Sequence, residues 1–430
     1  MSNWGDSVSA TANLTIAEKI KLVRDLANIK QEALAAALGC VKSKISETEN
    51  GKKEYTREEV MVLKKMLGIE GAPIFDDEIA DYQRQLDLWL GYIRGSLIDK
   101  AQNMQERLSI ITKLPYEQDL IFNYRMFESK LLMQIKDISG AEEILETTKP
   151  LLDKTTAKNR YHYIYNLGML QFYKGDYVES KNSFTTAFDM KIEGHKREAS
   201  LYYNLALCYS RLGWATQSVI TLLKIYSEFD HDVASINELF VDNTLAVNYI
   251  RINRVKEAEE VLERALMKAK VRGIKENIAR ALHNYGFASK KSGRFEEAIE
   301  YFDQSLAHLL EGENLYLEGL CQKIICLNAL KKKALCKPLL LQGSGLSKND
   351  EHYLLMFQSL SHALTLNNEN SSSFIEEHTI PHLIEKHHLY RALEFCNWLI
   401  SHYTKKGMKM KLLEITIIKN DILEKIAFGG

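Results

Sequence analysis

Cysteine is scarce in this 430-residue chain, and its spacing excludes the common structural uses of thiols. None of the six cysteines forms a Cys-x-x-Cys pair, and none is spaced from histidine as in a zinc site. We therefore expect no disulfide framework and no bound metal. The thiols should stay reduced and pack as small apolar side chains.

Long apolar runs are missing as well. No stretch reaches the about 18 consecutive apolar residues that a membrane-spanning helix needs. Residues 1–13 lack the basic and then apolar pattern of a secretion signal, so they are interpreted as an N-terminal tail. These absences predict a cytoplasmic protein that has no membrane partner.

Motifs that mark common catalytic sites are absent too. The sequence contains no Gly-rich phosphate loop, no Gly-x-Ser-x-Gly turn and no His-Glu-x-x-His helix. The histidines are scattered along the chain. The expectation is therefore a protein that is not an enzyme, with no catalytic residues and no cofactor.

Proline is rare, and the net charge is close to zero. The five prolines, at positions 73, 115, 150, 338 and 381, all lie near predicted helix ends or loops, which leaves room for long uninterrupted helices. The formal net charge is −1, so any nucleic-acid contact has to be local. The composition favours an all-α protein.

What the sequence does contain is a repeat. Asn166-Leu167-Gly168 returns as Asn204-Leu205-Ala206 and as Asn284-Tyr285-Gly286. Each triplet lies in a longer frame of aromatic, small and apolar residues that matches the two-helix tetratricopeptide pattern. The small residue near the middle of the first helix should let the second helix pack closely against it.

The spacing of these repeats predicts the architecture. The small residues Gly168, Ala206, Ala246 and Gly286 are 38, 40 and 40 residues apart, which is longer than the common repeat length of about 34. Amphipathic helix pairs continue on both sides, so we predict eight or nine pairs between residues 78 and 428. Such an array is a right-handed solenoid with a concave and a convex face.

The N-terminal segment follows a different pattern. Residues 16–28 and 31–38 predict two helices, and Gly39 permits a tight turn before a third helix that runs from Lys42 to about Asn50. The predicted contacts between the second and third helices are made by Ala35, Leu38, Val41, Ile45 and Thr48. Thr56 and Glu59 form a capping box that opens a fourth helix. We assign residues 14–70 to a helix-turn-helix domain, 71–77 to a linker and 78–428 to the repeats.

The second and third helices resemble the phage-repressor-like (Xre) helix-turn-helix family. The resemblance rests on Gln31, Gly39 and the closing Glu49-Asn50-Gly51-Lys52. It implies that the third helix enters the major groove of a double-stranded DNA operator. The predicted DNA-binding residues are Gln31, Lys42, Ser43, Lys44, Glu47, Lys52 and Lys53. The alternative is a solvated helix face on a module that mediates only protein contacts.

This N-terminal domain has little excess positive charge. Residues 14–71 contain eleven basic and nine acidic side chains, a net charge of +2. This positive charge is small for a monomer that binds one helical turn of DNA. Repressors of this type bind two-fold symmetric sites as dimers. We therefore predict a homodimer or a higher homo-oligomer.

A helix-turn-helix of this type followed by extended tetratricopeptide repeats resembles the peptide-pheromone receptors of Gram-positive bacteria and their phages, the Rap, Rgg, NprR, PlcR and PrgX group. NprR-like proteins are nearest in layout. The resemblance implies a quorum-sensing transcriptional regulator whose repeats bind a short signalling peptide in the concave groove, with effects on oligomeric state and DNA occupancy. Some members bind a response regulator, so an adaptor or inhibitor that binds a folded protein remains the alternative.

Within the implied groove, the repeated asparagines are the predicted grip on the peptide. A carboxamide offers two donors and an acceptor, so it can satisfy both polar groups of an extended peptide backbone. Asn166, Asn204, Asn243 and Asn284 take this role. The apolar set is Tyr165, Tyr203, Met169, Leu207, Val247 and Phe287, and the cations that would hold a carboxylate are Arg211, Arg251, Arg280 and Lys291. The alternative is that the asparagines bond to the neighbouring helix and the cations are solvated.

Overall fold

A computed structural model describes residues 14–190, 192, 199–228, 238–365 and 369–428. The predicted tail, residues 1–13, lies outside the described residues. Within these ranges the chain is helical and has no strand, and none of the helices is long and apolar enough to cross a membrane. The chain divides into two compact units, residues 1–176 with 182–196 and residues 177–181 with 197–430.

Four short helices open the first unit. They are α1 (Ile16–Leu26), α2 (Gln31–Ala37), α3 (Lys42–Glu49) and α4 (Arg57–Met66). The predicted capping box at Thr56 and Glu59 is present, and Gly39 has a φ of 61° in the turn before α3. Val41 was predicted to pack between α2 and α3, but it is 68% exposed. As the N-cap of α3 it lies outside the helix pair, whereas the predicted Ala35, Ile45 and Thr48 are buried together with Leu34.

The remaining helices of the chain follow in pairs. The first are α5 (Asp76–Arg94), α6 (Ile98–Leu108), α7 (Gln118–Gln134), α8 (Ile138–Thr148), α9 (Ala157–Lys174) and α10 (Tyr177–Asp189). They are followed by α11 (Ala199–Arg211), α12 (Ala215–Glu228), α13 (Glu238–Arg251), α14 (Val255–Arg272), α15 (Lys275–Lys291) and α16 (Phe295–Leu306). The last are α17 (Asn314–Ala329), α18 (Lys333–Leu346), α19 (Glu351–Leu364), α20 (Glu369–Phe374), α21 (Ile380–Glu385), α22 (Leu389–Lys406) and α23 (Lys409–Phe428).

Residues 71–77 pack against their neighbours within the first unit. Ala72 and Ile74 are buried in a hydrophobic core that includes side chains from α1 to α9. The buried Lys19 of α1 donates to the Ile74 carbonyl at 3.1 Å and pairs with Glu117 at 2.7 Å. Helices α1 to α4 therefore share one core with the helices that follow them.

Glycine at the middle of a first helix allows the close packing that the repeat pattern predicted. A Cβ atom on Gly168 would lie 2.9 Å from the ring of Phe184, and one on Gly286 would lie 2.6 Å from the ring of Phe302. Both phenylalanines are fully buried. The aromatic ring of the second helix thus occupies the space that a side chain would need.

Gly286→Ala is expected to lower the free energy of unfolding by about 1 to 3 kcal/mol, because overpacking a filled core forces side chains or backbone to shift. The higher helix propensity of alanine offsets only part of this cost. Gly345→Ala is the matched control, since Gly345 lies in α18 and has open space around a Cβ position. Denaturant unfolding of the two variants measures the difference, and equal stabilities would contradict the packing argument.

Proline placement departs from the prediction in the second unit. Pro338 was expected near a helix end or loop, but it lies inside α18. Its missing N–H removes one hydrogen bond of that helix, and the helix continues because its other bonds and its packing remain. Pro381 follows a π-helical turn, residues 375–379, which joins α20 to α21 where one continuous helix was predicted.

Candidate functional site

The second unit contains a cavity of about 710 Å³. Helices α11, α13, α15, α17, α19 and α22 contribute most of its wall. Each of these is the first helix of a pair, so the cavity lies on the side of the repeats where a ligand was expected. A cavity of this volume is within the range of small-molecule and peptide sites.

Six of the fourteen residues predicted to bind a peptide line this cavity. They are Arg211, Val247, Arg251, Asn284, Phe287 and Lys291. Tyr203, Asn204, Leu207, Asn243 and Arg280 belong to the same unit but are not part of the cavity wall. Tyr165, Asn166 and Met169 belong to the first unit.

Several of the repeated asparagines are buried and bond to neighbouring helices. The Nδ2 atom of Asn166 donates to the Met126 carbonyl at 2.6 Å and to Ser129 Oγ at 2.9 Å. The Nδ2 atom of Asn284 donates to Asn243 Oδ1 at 2.9 Å. These bonds tie α7 to α9 and α13 to α15, which is the structural role that the alternative interpretation assigns to them. Asn284 combines this role with a place in the cavity wall.

One end of the cavity is cationic. Arg251 donates from Nη1 to the carbonyl oxygen and to the hydroxyl of Ser210, each at 2.8 Å, and its guanidinium lies 4.9 Å from the centre of the Tyr390 ring. Burial lowers the pKa of Arg251 to about 10. Within the described residues, no carboxylate lies within ion-pair distance of Arg211, Arg251 or Lys291. This end of the cavity therefore favours an anionic group.

Arg280 differs from these cations. Its guanidinium donates to Glu276 at 2.8 Å on the same helix, and it does not line the cavity. It is therefore already compensated by a carboxylate.

A polar network that sequence reasoning missed forms another part of the cavity wall. Arg391 of α22 pairs with Glu318 of α17, and Lys290 of α15 pairs with Glu394 at 3.1 Å. Gln322 connects the two pairs, because it donates to Glu318 at 2.8 Å and accepts from Lys290 at 2.7 Å. These charges compensate one another, so this wall offers hydrogen bonds without a net demand for a counter-ion.

Histidines form another part of the cavity wall. His283 is buried, and its Nδ1 atom has no hydrogen-bond partner within the described residues. Burial lowers the pKa of His283 to about 4, so its imidazole is neutral near pH 7. The rings of His352 and His388 stack with centroids 4.7 Å apart, and burial lowers the pKa of His388 to about 3. The imidazoles thus offer polar atoms without adding charge.

Most of the missed residues lie on helices whose repeat signal is weak. Glu318, His352 and Arg391 fall on α17, α19 and α22, beyond the residues where the repeat frame can be aligned. Without that frame, the sequence does not indicate which side chains of these helices face inward. The only signal was the continuing amphipathic pattern, which predicts helices but not their orientation.

The predicted DNA-contacting residues surround α3 in the first unit. Lys42, Ser43, Lys52 and Lys53 are exposed. The Gln31 side chain donates to the buried carboxylate of Glu49 at 2.7 Å, and Arg24 holds the same carboxylate through two further bonds. The Gln31 amide is therefore fixed in place, with its oxygen still available.

Acidic side chains accompany the lysines of this surface. Lys42 pairs with Glu32 at 2.7 Å, Lys44 bonds to Glu59 of the α4 capping box, and Lys53 pairs with Glu47 at 2.6 Å. A DNA phosphate would have to compete with these carboxylates. The side chains of Ser43 and Lys52 form no hydrogen bond or ion pair within the described part of the chain.

Comparison with known proteins supports the repeat assignment. The tetratricopeptide repeat family matches residues 199–227 and 279–309. The solved structure of NprR in complex with its cognate peptide NprX superposes with a TM-score of 0.65 and 20% identity, and the match covers 80% of this chain and 97% of that one. The predicted all-α repeat fold is confirmed.

Two curated relatives point to different activities. Transcriptional activator NprA of Geobacillus stearothermophilus is 26% identical to this chain in the part that matches. The match covers 62% of this chain and 66% of the length of that relative. Response regulator aspartate phosphatase A of Bacillus subtilis (strain 168) is 26% identical over 76% of this chain and 90% of its own length.

The second relative corrects one expectation. The absence of catalytic motifs predicted a protein that is not an enzyme, and that prediction is wrong because response regulator aspartate phosphatase A is an enzyme that matches most of this chain. The motifs searched belong to nucleotide-binding proteins, serine hydrolases and zinc proteases. Their absence carries no information about other classes of reaction.

Proposed function

We propose that this chain, a member of the Rap and NprR group of tetratricopeptide-repeat regulators, is a transcriptional regulator controlled by a short signalling peptide. The peptide binds in the cavity of the second unit, and helices α2 and α3 bind a double-stranded DNA operator. Peptide binding changes the oligomeric state and the occupancy of the operator. The protein acts in the cytoplasm as a homodimer or a higher homo-oligomer.

The observation that carries this proposal is the cavity on the first helices of the repeats. Its wall combines the apolar Val247 and Phe287 with the carboxamide of Asn284 and with cations that have no carboxylate partner among the described residues. Apolar surface and a few convergent polar groups are typical of ligand sites. An anionic group at the cationic end and backbone contacts along the wall fit a short peptide.

DNA binding is supported by the exposed start of α3. Lys42 and Ser43 stand at the N-terminal end of that helix, where residues of this motif reach base edges. Lys52 follows the helix and is exposed, and its side chain forms no hydrogen bond or ion pair within the described residues. These positions fit one half-site of a two-fold symmetric operator.

A mobility shift with the DNA upstream of the gene tests the proposal. The full-length chain is measured at two salt concentrations, with and without synthetic peptides encoded by short reading frames beside the gene. We expect a specific complex that weakens as salt rises, because phosphate contacts release counter-ions, and whose amount changes with one of the peptides. The absence of any specific complex in all four conditions would contradict it.

Arg211→Gln is expected to weaken binding of the active peptide by roughly 10-fold or more, because a charge-assisted hydrogen bond contributes about 1.5 to 3 kcal/mol. Arg280→Gln is the matched control, since that cation is already paired with Glu276 and lies outside the cavity wall. Isothermal titration of both variants measures the affinities. If the two variants lose equal affinity, the cationic end is not where the ligand binds.

A second candidate function is dephosphorylation of a response regulator. The extent of the match to response regulator aspartate phosphatase A, 90% of that relative's length, favours it. The test incubates the full-length chain with phosphorylated response regulators from the source organism and follows the loss of phosphate. Faster loss than in buffer, suppressed by the same peptide, would support this activity alongside DNA binding.

A further inference from the structure

The cationic end of the cavity is bordered by two segments that are far apart in the chain. The turn between α11 and α12 contains Gly213 and Trp214, and it meets the last helix pair. The Tyr390 hydroxyl donates to the Gly213 carbonyl at 3.0 Å, and Trp214 Nε1 donates to the Lys425 carbonyl at 3.2 Å. We call this meeting of Gly213 and Trp214 with Tyr390 and Lys425 the closing contact.

Gly213 is required for the closing contact on two grounds. Its φ of 87° lies in the left-handed region that favours glycine. In addition, a Cβ atom there would lie 3.1 Å from Ile426 and 3.3 Å from Leu389. The last helix pair therefore approaches the backbone of this turn closely. A side chain at position 213 would require Ile426 or Leu389 to shift.

Tyr390 joins the closing contact to the cationic end. Its hydroxyl holds Gly213, while its ring lies against the guanidinium of Arg251. Arg251 is in turn held by Ser210, which lies three residues before Gly213. Tyr390, Gly213 and Arg251 all line the cavity. A displacement of α22 would therefore remove the ring from Arg251 and change how that cation is solvated.

We propose that Tyr390 positions Arg251 and couples the closing contact to ligand binding, so that a ligand carboxylate held by Arg251 and the closed state of this contact stabilise each other. The inference rests on the proposed function, because it concerns the same cavity.

The coupling follows from the energetics of the buried cation. Arg251 has no carboxylate partner in the described residues, so its charge is compensated by the ring of Tyr390 and by the neutral oxygens of Ser210 and Asn248. A ligand carboxylate beside it supplies the missing compensation, and it does so best where the closing contact keeps water out. Coupling between two such events is reciprocal by necessity. The peptide's terminal carboxylate and an acidic side chain are the two sources of this group.

Fluorine NMR of the full-length chain labelled with 5-fluorotryptophan tests the coupling. Trp214 reports the closing contact and Trp398 reports the cavity wall, and each line is assigned with a Trp→Phe variant. Without ligand, Arg251→Lys is expected to shift the Trp214 line, because lysine keeps the charge but lacks the planar group that stacks on Tyr390. Tyr285→Phe, which removes a hydroxyl bonded to the Glu259 carbonyl outside the cavity, should leave that line in place.

A pair of glycine variants tests the closing contact independently. Gly213→Ala is expected to shift the Trp214 line because of the close approach of Ile426 and Leu389. Gly293→Ala has the same left-handed backbone, with a φ of 77°, but open space around a Cβ position. It should leave the Trp214 line unchanged. A Trp214 line that stays in place in both Gly213→Ala and Arg251→Lys would overturn the proposal.

The ligand measurement uses the synthetic peptides encoded beside the gene. Each is prepared as the free acid, as the C-terminal amide, and with Asp and Glu replaced by Asn and Gln, so that the source of the carboxylate is identified. Tyr390→Phe should reduce the affinity for both kinds of peptide. We expect the loss to be at least about 5-fold larger for the peptide that retains the recognised carboxylate than for the peptide that lacks it. Equal losses for both forms would overturn the coupling and leave the proposed function intact. Peptides that shift neither tryptophan line would overturn the proposed function and this inference together.

Discussion

Lys42→Glu is expected to abolish the specific complex between the full-length chain and its operator, whereas Lys65→Glu should leave it largely intact. Lys42 is exposed at the N-terminal end of α3, the part of the helix that reaches base edges and phosphates in this motif. Lys65 is equally exposed on α4. Both substitutions change the net charge by the same amount, so the general electrostatic effect is matched.

The size of this effect follows from where the new carboxylate lies. A lost contact at the base edges costs about 1 to 3 kcal/mol, and repulsion between a glutamate and the phosphates adds to it. We expect affinity to fall about 100-fold or more for Lys42→Glu. The exposed ion pair between Lys42 and Glu32 contributes at most about 1 kcal/mol to stability, so the domain should remain folded.

Fluorescence anisotropy at several salt concentrations measures both variants, and circular dichroism checks their folding. The dependence of affinity on salt should also weaken for Lys42→Glu, by roughly one phosphate contact. Equal losses of affinity in the two folded variants would show that the charge of this domain matters but the position of α3 does not. That result would favour a module that mediates only protein contacts.

The repeat fold could be predicted from the sequence because its signal is local and periodic. Gly168 and Gly286 were predicted to allow a second helix to pack closely, and the rings of Phe184 and Phe302 occupy that space. The capping box at Thr56 was predictable for the same reason, since both of its partners lie within one turn. Pro338 was misplaced because tertiary packing maintains a helix that local propensity alone would interrupt.

The candidate site was only partly predictable. The residues on α11, α13 and α15 could be placed because the repeat frame gives each helix its inward face. Arg391 and Tyr390 could not be placed, since they face the cavity through contacts with residues 73 and 177 positions away, Glu318 and Gly213. Contacts between residues so far apart in the chain form only when the whole unit has folded. The pairing of Arg280 with Glu276, four residues away on the same helix, is by contrast a local contact.

Glu318→Gln is expected to lower the free energy of unfolding by at most about 3 to 5 kcal/mol, because removing one partner of a largely buried ion pair leaves the other charge uncompensated. Glu318 accepts hydrogen bonds from Arg391 and Gln322, and the other carboxylate near Arg391, that of Glu394, is 3.9 Å away. Glu257→Gln is the control. It breaks the exposed pair with Arg254 and should cost less than about 1 kcal/mol.

The pH dependence of stability provides a second measurement of the effect of Glu318→Gln. Burial opposes the ionisation of Glu318, but the charge of Arg391, that of His283 once it is protonated at low pH, and the nearby hydrogen bonds outweigh it and lower its pKa from 4.5 to about 2. Because the folded pKa lies below the unfolded one, this carboxylate stabilises the fold at higher pH, and the stabilisation is lost as the pH falls from about 4.5 towards 2. The difference in stability between the wild type and Glu318→Gln should therefore shrink over that window.

The double variant Glu318→Gln with Arg391→Met separates two explanations of such a loss. If the cost arises from an uncompensated guanidinium, removing that cation as well should restore most of the stability, since apolar replacements of buried pairs are often neutral. If the pair itself supplies the stability, the double variant should be as unstable as the single one. We expect the first outcome, because the Arg391 side chain is only 14% exposed and water can replace only part of the lost carboxylate interaction. A cost below about 1 kcal/mol for Glu318→Gln alone would mean that Glu394 or water compensates Arg391 fully.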